Sequence, residues 1–253
     1  MKSKMLVTII PLGIALGFSS AVFADTEKPW EMTAEVGVIA TSGNTESTTV
    51  QTKADIKQRT DRWHNHYVLS VLFQEDQLTR EDNTTTTEKT AEKYFGSVKS
   101  AYQLERPDTN LFVFGSHTED KFGSYRKYST LAMGYGTRLF ENDTMKLDAE
   151  IGPGYFRADR VFADGSTTRE SGTLLRGAAS YKWEISPSAE FNQTISVEAA
   201  EENTRTVAES SLSTRINGAM QMKVGINIAN DSTVAEGKKN TDTTTYVNLV
   251  YKY

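Results

Sequence analysis

Cysteine is absent from this sequence of 253 residues, and histidine and proline are scarce, with three and five residues. An exported protein of this composition has to fold without disulfides, and it has no thiolate to bind a metal or to act as a nucleophile. The net charge of −5 leaves no excess of cations for neutralising phosphates, which argues against nucleic acid as a partner. Beyond the N-terminal segment, the sequence also lacks the run of about 20 apolar residues that a membrane-spanning helix requires.

The first 24 residues have the three parts of a secretory signal peptide. Lys2 and Lys4 form a positive start, residues 5–18 are an apolar run, and a short segment ending at Ala24 supplies the cleavage site. The apolar run is too short to span a bilayer comfortably as a helix. We therefore expect residues 1–24 to be removed on export, which leaves a mature chain of residues 25–253.

From Trp30 onward, apolar residues recur at every second position. Residues 131–139, 220–228 and 247–253 all alternate in this way. A period of two indicates β-strands with one apolar face. The other face carries charges of both signs, and an apolar exterior around a charged interior is typical of a membrane barrel. Because Gly134 falls on the polar face of its strand, we expect serine to be tolerated there.

The length and spacing of these segments favour a barrel over a soluble sandwich. Most of the predicted strands are longer than the usual five or six residues, as tilted membrane strands should be. They lie near residues 30–42, 45–59, 62–75, 90–104, 109–120, 126–140, 144–157, 169–185, 188–201, 205–216, 219–230 and 242–253. Tight turns mostly alternate with longer polar connections, as periplasmic turns and external loops do. We predict an all-β fold, a transmembrane antiparallel up-and-down β-barrel of about 12 strands, formed by residues 25–253.

The C-terminus has the pattern of an outer-membrane assembly signal. Leu249, Tyr251 and Tyr253 occupy alternating positions, although Asn248 lies where a glycine is usual. We therefore expect the barrel assembly machinery and outer-membrane lipid to be partners of the chain. The expected location is the outer membrane of a Gram-negative bacterium.

Four segments resemble a known family. They are A-T-S-G-N-T at 40–45, E-K-Y at 92–94, M-G-Y-G at 133–136 and G-P-G-Y at 152–155. With them the chain resembles the YdiY-like family of salt-induced outer-membrane proteins, whose function is unknown. The resemblance runs along essentially the whole mature chain and implies an outer-membrane location and a single barrel. The family has no established reaction, so no functional residue is carried over.

Charged residues on the predicted inner faces are the candidate functional residues. They could line a path for small solutes or ions, or they could fill a closed lumen with ion pairs. The predicted lumen-lining residues are Lys53, Asp55, Lys57, Arg59, Arg138, Asp148, Glu150, Arg176 and Lys223. Both a small-solute channel and a structural or envelope-stress barrel remain open at this point.

The three histidines give little support to catalysis or to metal binding. His64 and His66 share the inner face of one strand near its periplasmic end, and His117 shares a face with the apolar Leu111 and Val113. A hydrolase of outer-leaflet lipid would place its base near the outer rim, and the sequence has no G-x-S-x-G motif. The sequence therefore predicts no enzyme, no metal site and no cofactor, and an outer-membrane hydrolase is the least supported of the alternatives.

Overall fold

The computed structural model describes residues 29–41, 46–79, 85–106, 108–162, 164–234 and 239–253. The predicted signal peptide, residues 1–24, and the Gly43-Asn44 connection lie outside these ranges. Within the described ranges, no helix is long and apolar enough to cross a membrane.

Strands account for most of the described chain. They are β1 (Trp30–Thr41), β2 (Glu46–Arg59), β3 (Trp63–Thr79), β4 (Thr85–Gln103), β5 (Thr109–Asp120), β6 (Tyr125–Glu141), β7 (Met145–Val161), β8 (Thr167–Ser186), β9 (Ala189–Ala200), β10 (Thr204–Arg215), β11 (Met220–Asp231) and β12 (Thr241–Lys252). Each strand pairs antiparallel with the strands before and after it in the chain, and β1 pairs with β12 to close the barrel. The prediction of an all-β, antiparallel, up-and-down barrel of about 12 strands is confirmed.

The two ends of the barrel differ in their connections. We call the turn end the one where the short connections after β2, β4, β6, β8 and β10 lie, together with Pro29 and Tyr253. Asn142 and Asn217 explain two of these turns, because each side-chain oxygen accepts hydrogen bonds from backbone N–H groups two and three residues ahead. The opposite end is the loop end, which the sequence analysis predicts to face the outside of the cell.

Two hairpins extend farther at the loop end than the sequence predicts. The β3–β4 hairpin continues to Thr79 and resumes at Thr85, after a β-bulge between Gln74 and Glu75. The β7–β8 hairpin also exceeds its predicted bounds. These extensions are rich in threonine and charged residues, and a strand that projects into water on both faces needs no apolar alternation. Alternation alone therefore could not reveal them.

The wall of the barrel has an apolar outer face. On β6, the side chains of Leu131 and Met133 are 59% and 60% exposed, whereas Ala132 between them is buried. Leu69 on β3 is exposed to a similar degree. An exposed apolar band of this kind is typical of a surface that contacts lipid.

Glycines on the inner faces of β6 and β7 let these two strands approach closely. A Cβ atom added to Gly134 would overlap the carbonyl oxygen of Ile151, and one added to Gly152 would overlap the carbonyl oxygen of Met133. These neighbours are backbone atoms, which cannot move aside as a flexible side chain can. The expectation that serine is tolerated at Gly134 is therefore wrong.

The pair of strands that closes the barrel, β1 and β12, has the shortest run of paired residues. Among the described residues, Thr33–Val36 of β1 pair with Leu249–Lys252 of β12, while neighbouring strands elsewhere pair along most of their length. Asn248 lies just beyond this register, with its side chain fully buried against Gly37. The seam between the first and last strands therefore has fewer backbone hydrogen bonds than the rest of the wall.

Candidate functional site in the barrel interior

A first polar cluster, the seam network, lies inside the barrel beside the β1–β12 seam and consists of Glu35, Lys53, Glu209, Lys223 and Asn248. The Nζ atom of Lys223 lies 3.1 Å from Oε1 of Glu35 and 3.3 Å from Oε1 of Glu209. Asn248 donates from Nδ2 to Oε2 of Glu35 at 2.9 Å. Lys53 is more distant, with 3.6 Å between its Nζ and Oε2 of Glu209. Each carboxylate of the network thus has at least two polar partners.

A second cluster, the wall network, lies on the other side of the interior and consists of Lys99, Thr130, Glu150, Arg176 and Glu198. Glu150 forms ion pairs with Lys99 and with Arg176, the latter at 2.5 Å from Nη1 to Oε1. The Nε atom of Arg176 lies 3.7 Å from Oε1 of Glu198. Thr130 donates from Oγ1 to Oε2 of Glu198 at 3.0 Å. The wall network thus links strands β4, β6, β7, β8 and β9.

Both networks connect strands that are not neighbours in the sheet. The ion pair between Lys53 and Glu209 joins β2 to β10. The hydrogen bond between Thr130 and Glu198 joins β6 to β9. Contacts of this kind can form only through the interior, so these side chains point inward and reach across part of the lumen.

Four charged groups of the networks are deeply buried, whereas the side chain of Lys99 is 34% exposed. The exposed fraction of the side chain is 6% for Glu35, 10% for Glu150, 8% for Arg176 and 12% for Lys223. Removing charges from water is costly, and a buried pair is stable only when its geometry and its additional hydrogen bonds compensate for that cost. The guanidinium of Arg176 also lies 4.0 Å from the ring centroid of Phe114, a cation–π contact. The interior at this level is therefore occupied by paired polar groups, although Nε of Arg176 and Oδ1 of Asn248 are buried without a hydrogen-bond partner among the described residues.

The structure brings four of the nine predicted lumen-lining residues into the two networks: Lys53, Glu150, Arg176 and Lys223. Asp55, Lys57 and Arg59 lie on the same inward face of β2 as Lys53, nearer the turn end. Oδ1 of Asp55 lies 3.0 Å from Nε2 of His66 on β3, within hydrogen-bond distance.

The remaining two predicted residues meet near the turn end. Arg138 donates from Nε to Oδ1 of Asp148 at 3.1 Å. Its Nη1 atom also lies 2.9 Å from Oδ1 of Asp108 and 2.6 Å from Oε2 of Glu141. This guanidinium ties the turn after β4 to the ends of β6 and β7, which is a structural rather than a lumen-spanning contact.

Three members of the seam network, Glu35, Glu209 and Asn248, are not among the nine predicted lumen-lining residues. Glu209 lies between Ala208 and Ser210, so its strand shows little apolar alternation. Glu209 and Arg205 are four residues apart on one strand. Because residues an even number of positions apart share a face, this spacing could have placed both on the inward face. Asn248 was interpreted only as a departure from the assembly signal, although its strand position also places it on the inner face.

Aromatic side chains fill part of the interior at the loop end. Tyr125, Tyr128 and Phe156 form a buried cluster with Ala158 and Leu174. The rings of Tyr128 and Phe156 are stacked, with 5.8 Å between their centroids. The guanidinium of Arg205 from β10 lies 4.7 Å from the ring centroid of Tyr128 on β6. This packing narrows the interior on the side formed by β6 to β11.

The histidines lie where the sequence analysis predicts, but one has an unexpected partner. His64 and His66 are on the inner face of β3 near the turn end. Among the described residues, no group of three or more histidine, aspartate or glutamate side chains is arranged to hold a metal. His117 points outward, and its Nδ1 lies 2.8 Å from Oγ of Ser129. This serine was not identified from the sequence, because only the β5–β6 register brings it to the histidine.

Several solved structures are similar to this chain over most of its length. They include the translocator domain of autotransporter NalP from Neisseria meningitidis (12% identity, covering 90% of this chain and 89% of that chain, TM-score 0.49), the NanC porin (11%, 87% and 98%, 0.48) and an outer membrane channel from Pseudomonas putida F1 (8%, 88% and 94%, 0.49). At these identities and TM-scores the likeness carries no argument about function.

Sequence comparison gives the closer relationship. The chain is 30% identical to the uncharacterized protein YdiY of Escherichia coli strain K12 over 229 residues, which cover 90% of this chain and 85% of the relative. The resemblance to the YdiY-like family is thus confirmed. A family model matches residues 34–253, which is nearly the whole barrel. The chain therefore belongs to the family described as "Protein of unknown function, DUF481".

Proposed function

We propose that this protein is an outer-membrane barrel with a structural role in the envelope and a lumen that is closed to solutes in its resting state. The observation that carries the proposal is the pair of buried ion-pair networks, which join non-neighbouring strands across the interior. Side chains with an exposed fraction of about a tenth are not in contact with a wide column of water. The aromatic cluster at the loop end supports the same conclusion.

The location and maturation of the chain form part of this proposal. The exposed apolar band on the outer face supports insertion into a bilayer. We expect the mature protein to begin at Asp25, to fractionate with the outer membrane, and to depend on the barrel assembly machinery. N-terminal sequencing of the purified protein and fractionation of cells test these points. We also propose a role in salt stress, because the chain resembles salt-induced proteins. Growth of a deletion strain in high salt tests this role.

A small-solute channel is the second candidate, and one observation favours it. Inner-face side chains on β2 and β3 near the loop end, including Thr49, Gln51 and Gln74, are only partly buried. They face the side opposite the aromatic cluster. A polar and partly hydrated wall there leaves room for a narrow path beside the networks.

Conductance of the purified protein in planar bilayers distinguishes the two candidates. For a closed lumen, we expect insertion of the wild-type protein to give no discrete ion-permeable steps. The Glu150→Gln variant, which weakens the wall network without adding volume, is the comparison. Frequent uniform steps from the wild-type protein would establish the channel instead, and steps from the variant alone would show that the network closes the lumen.

A further inference from the structure

A serine and a histidine form a hydrogen-bonded pair on the outer face of the barrel. Nδ1 of His117 on β5 lies 2.8 Å from Oγ of Ser129 on β6, and the two residues are directly opposite in the β5–β6 register. Both share a face with apolar residues that point away from the lumen, such as Val113 and Leu131. A hydroxyl within hydrogen-bond reach of an imidazole is the arrangement that activates a serine nucleophile.

The pair lies at the boundary between a polar and an apolar zone. Three residues separate His117 from the loop end of β5, and Glu119 and Lys127 occupy the outer face beyond the pair. Toward the middle of the barrel, the same face carries Val113 and Leu131, both more than half exposed. In a bilayer, this boundary corresponds to the level where headgroups meet acyl chains, and there the ester bonds of lipids lie.

An open groove on the outer face has His117 of this pair in its lining. It has a volume of about 440 Å³, and its lining includes Tyr67, Leu69, Gly96, Val98, Gly115 and His117. The two glycines form the floor, since Gly96 and Gly115 project no side chain into it. A Cβ atom added to Gly115 would meet its first neighbour only at 4.0 Å. The groove is bordered by aromatic and aliphatic side chains and ends at the imidazole, which suits an acyl chain whose ester lies at the pair.

A cation is placed on the other side of the serine. Arg157 on β7 is directly opposite Ser129 in the β6–β7 register, so both lie on the outer face, and Arg157 is exposed. Lys127, two residues before Ser129 on β6, is exposed on the same face. Cations at this position favour a lipid with an anionic headgroup and can stabilise negative charge that develops on an ester carbonyl.

We propose that His117 and Ser129 form a catalytic pair that hydrolyses an acyl ester of an anionic membrane lipid, with the acyl chain in the groove along Gly96 and Gly115. This inference rests on the outer-membrane location given under the proposed function, but not on whether the lumen conducts. A closed interior does not prevent this activity, because the pair lies on the lipid-facing surface.

The reaction uses only the pair, the ester and water. Oγ of Ser129 bonds to the carbonyl carbon while its proton passes to Nδ1 of His117. The bond to the alkoxy oxygen then breaks, and that oxygen takes the proton and leaves as the lysolipid alcohol. Water attacks the acyl-serine carbon and gives a proton to Nδ1. The acyl–Oγ bond breaks, Oγ regains the proton, and the fatty acid is released.

The test uses the purified full-length mature barrel in mixed micelles containing phosphatidylglycerol and, separately, lipid A. Release of fatty acid is measured, and the two lipids distinguish the two sources of an anionic acyl ester. We expect release from one of them, and a loss of about 10²–10⁴-fold in the Ser129→Ala and His117→Asn variants. Ser171→Ala is the matched control, because Ser171 lies on the outer face of β8 in the same row and outside the pair.

Two further measurements separate catalysis from folding and from location. A fluorophosphonate should form an adduct on Ser129 of the wild-type protein, as mass spectrometry of peptides will show, and not in the His117→Asn variant. Filling the groove with Gly115→Ile should reduce hydrolysis of long-chain lipid while sparing a soluble short-chain ester. Heat-modifiable electrophoretic mobility verifies that each variant is folded.

The inference is overturned if the folded wild-type protein releases no fatty acid from either lipid and forms no adduct on Ser129. It is also overturned if Ser129→Ala retains full activity, which would identify a contaminant. An error in the outer-membrane location would be seen in cell fractionation. It would leave hydrolysis of the soluble ester in detergent unchanged, so the two failures are distinguishable.

Discussion

The inner and outer faces of the barrel wall differ in how their side chains are stabilised. Inside, the side chain of Glu150 is 10% exposed and contacts both Lys99 and Arg176. Outside, Leu131 and Met133 are 59% and 60% exposed. Apolar side chains on this face do not require a specific partner to be stable. Stability on the inner face therefore depends on specific partners, whereas we expect stability on the outer face to depend on general contact with lipid, in line with the proposed location. The two faces should respond to substitution by different mechanisms and to different degrees.

The largest effect is expected inside, at the shared carboxylate of the wall network. Glu150→Ala removes the carboxylate that both Lys99 and Arg176 contact, and leaves the buried Arg176 with only the more distant carboxylate of Glu198. We expect a loss of about 3–5 kcal/mol in the free energy of unfolding, measured by urea titration in lipid vesicles. Glu184→Ala is the control, because this glutamate is 54% exposed and its pair with Lys182 should contribute less than about 1 kcal/mol. Equal losses would show that the interior is fully hydrated.

On the outer face, the loss in the free energy of unfolding caused by a new charge should depend on its position along the strand. Met133→Arg places a charge near the middle of β6 and should cost about 2–4 kcal/mol, measured in the same titration. Leu139→Arg places the same charge near the turn end of the strand and should cost no more than about 1 kcal/mol. Similar costs at both positions would contradict the placement of the apolar band in a bilayer.

A third substitution tests the close approach of β6 to β7, where stability depends on backbone packing and not on a charge or on contact with lipid. Gly134→Ala should cost about 1–3 kcal/mol, because the added Cβ atom overlaps the backbone of β7. Gly177→Ala is the matched control on β8, where no other atom lies within 4 Å of the added Cβ. If the two variants are equally stable, β6 and β7 are not as close as the structure has them.

The smallest effect is expected at the edge of the seam network. Lys53→Gln should cost about 1 kcal/mol, because its ion pair with Glu209 is long at 3.6 Å and Glu209 keeps Lys223 as a partner. Lys223→Gln should cost about 3 kcal/mol or more, since it leaves Glu35 without its lysine. Thermal unfolding of the two variants in one detergent compares them, and an equal shift in Tm would mean that Lys53 is as central as Lys223.

Much of the barrel could be predicted because alternation is a local property. The pattern around Leu131 and Met133 assigned the outer face of β6, and the same pattern placed Lys53 and Lys223 on inner faces. The bounds of β3 and β4 were predicted less well, because their loop-end extensions lie outside the apolar band and carry no alternation.

The partners of the inner charges could not be predicted. Which of the inward carboxylates meets Lys53 depends on the strand register around the whole barrel, and Glu209 is separated from it by more than 150 positions in the sequence. The serine beside His117 was missed for the same reason, although the two residues are only 12 positions apart. A shift of one residue in the β5–β6 register would move Ser129 to the opposite face.

The sequence by itself determined the class of fold, the number of strands and the face on which most side chains lie, because a period of two is set by the local geometry of an extended chain. Only the tertiary structure decided the rest. It paired Glu150 with Lys99 and Arg176, brought Gly134 against the backbone of β7, and placed His117 beside Ser129. These contacts depend on register and on closure of the sheet, which arise from the packing of all twelve strands at once.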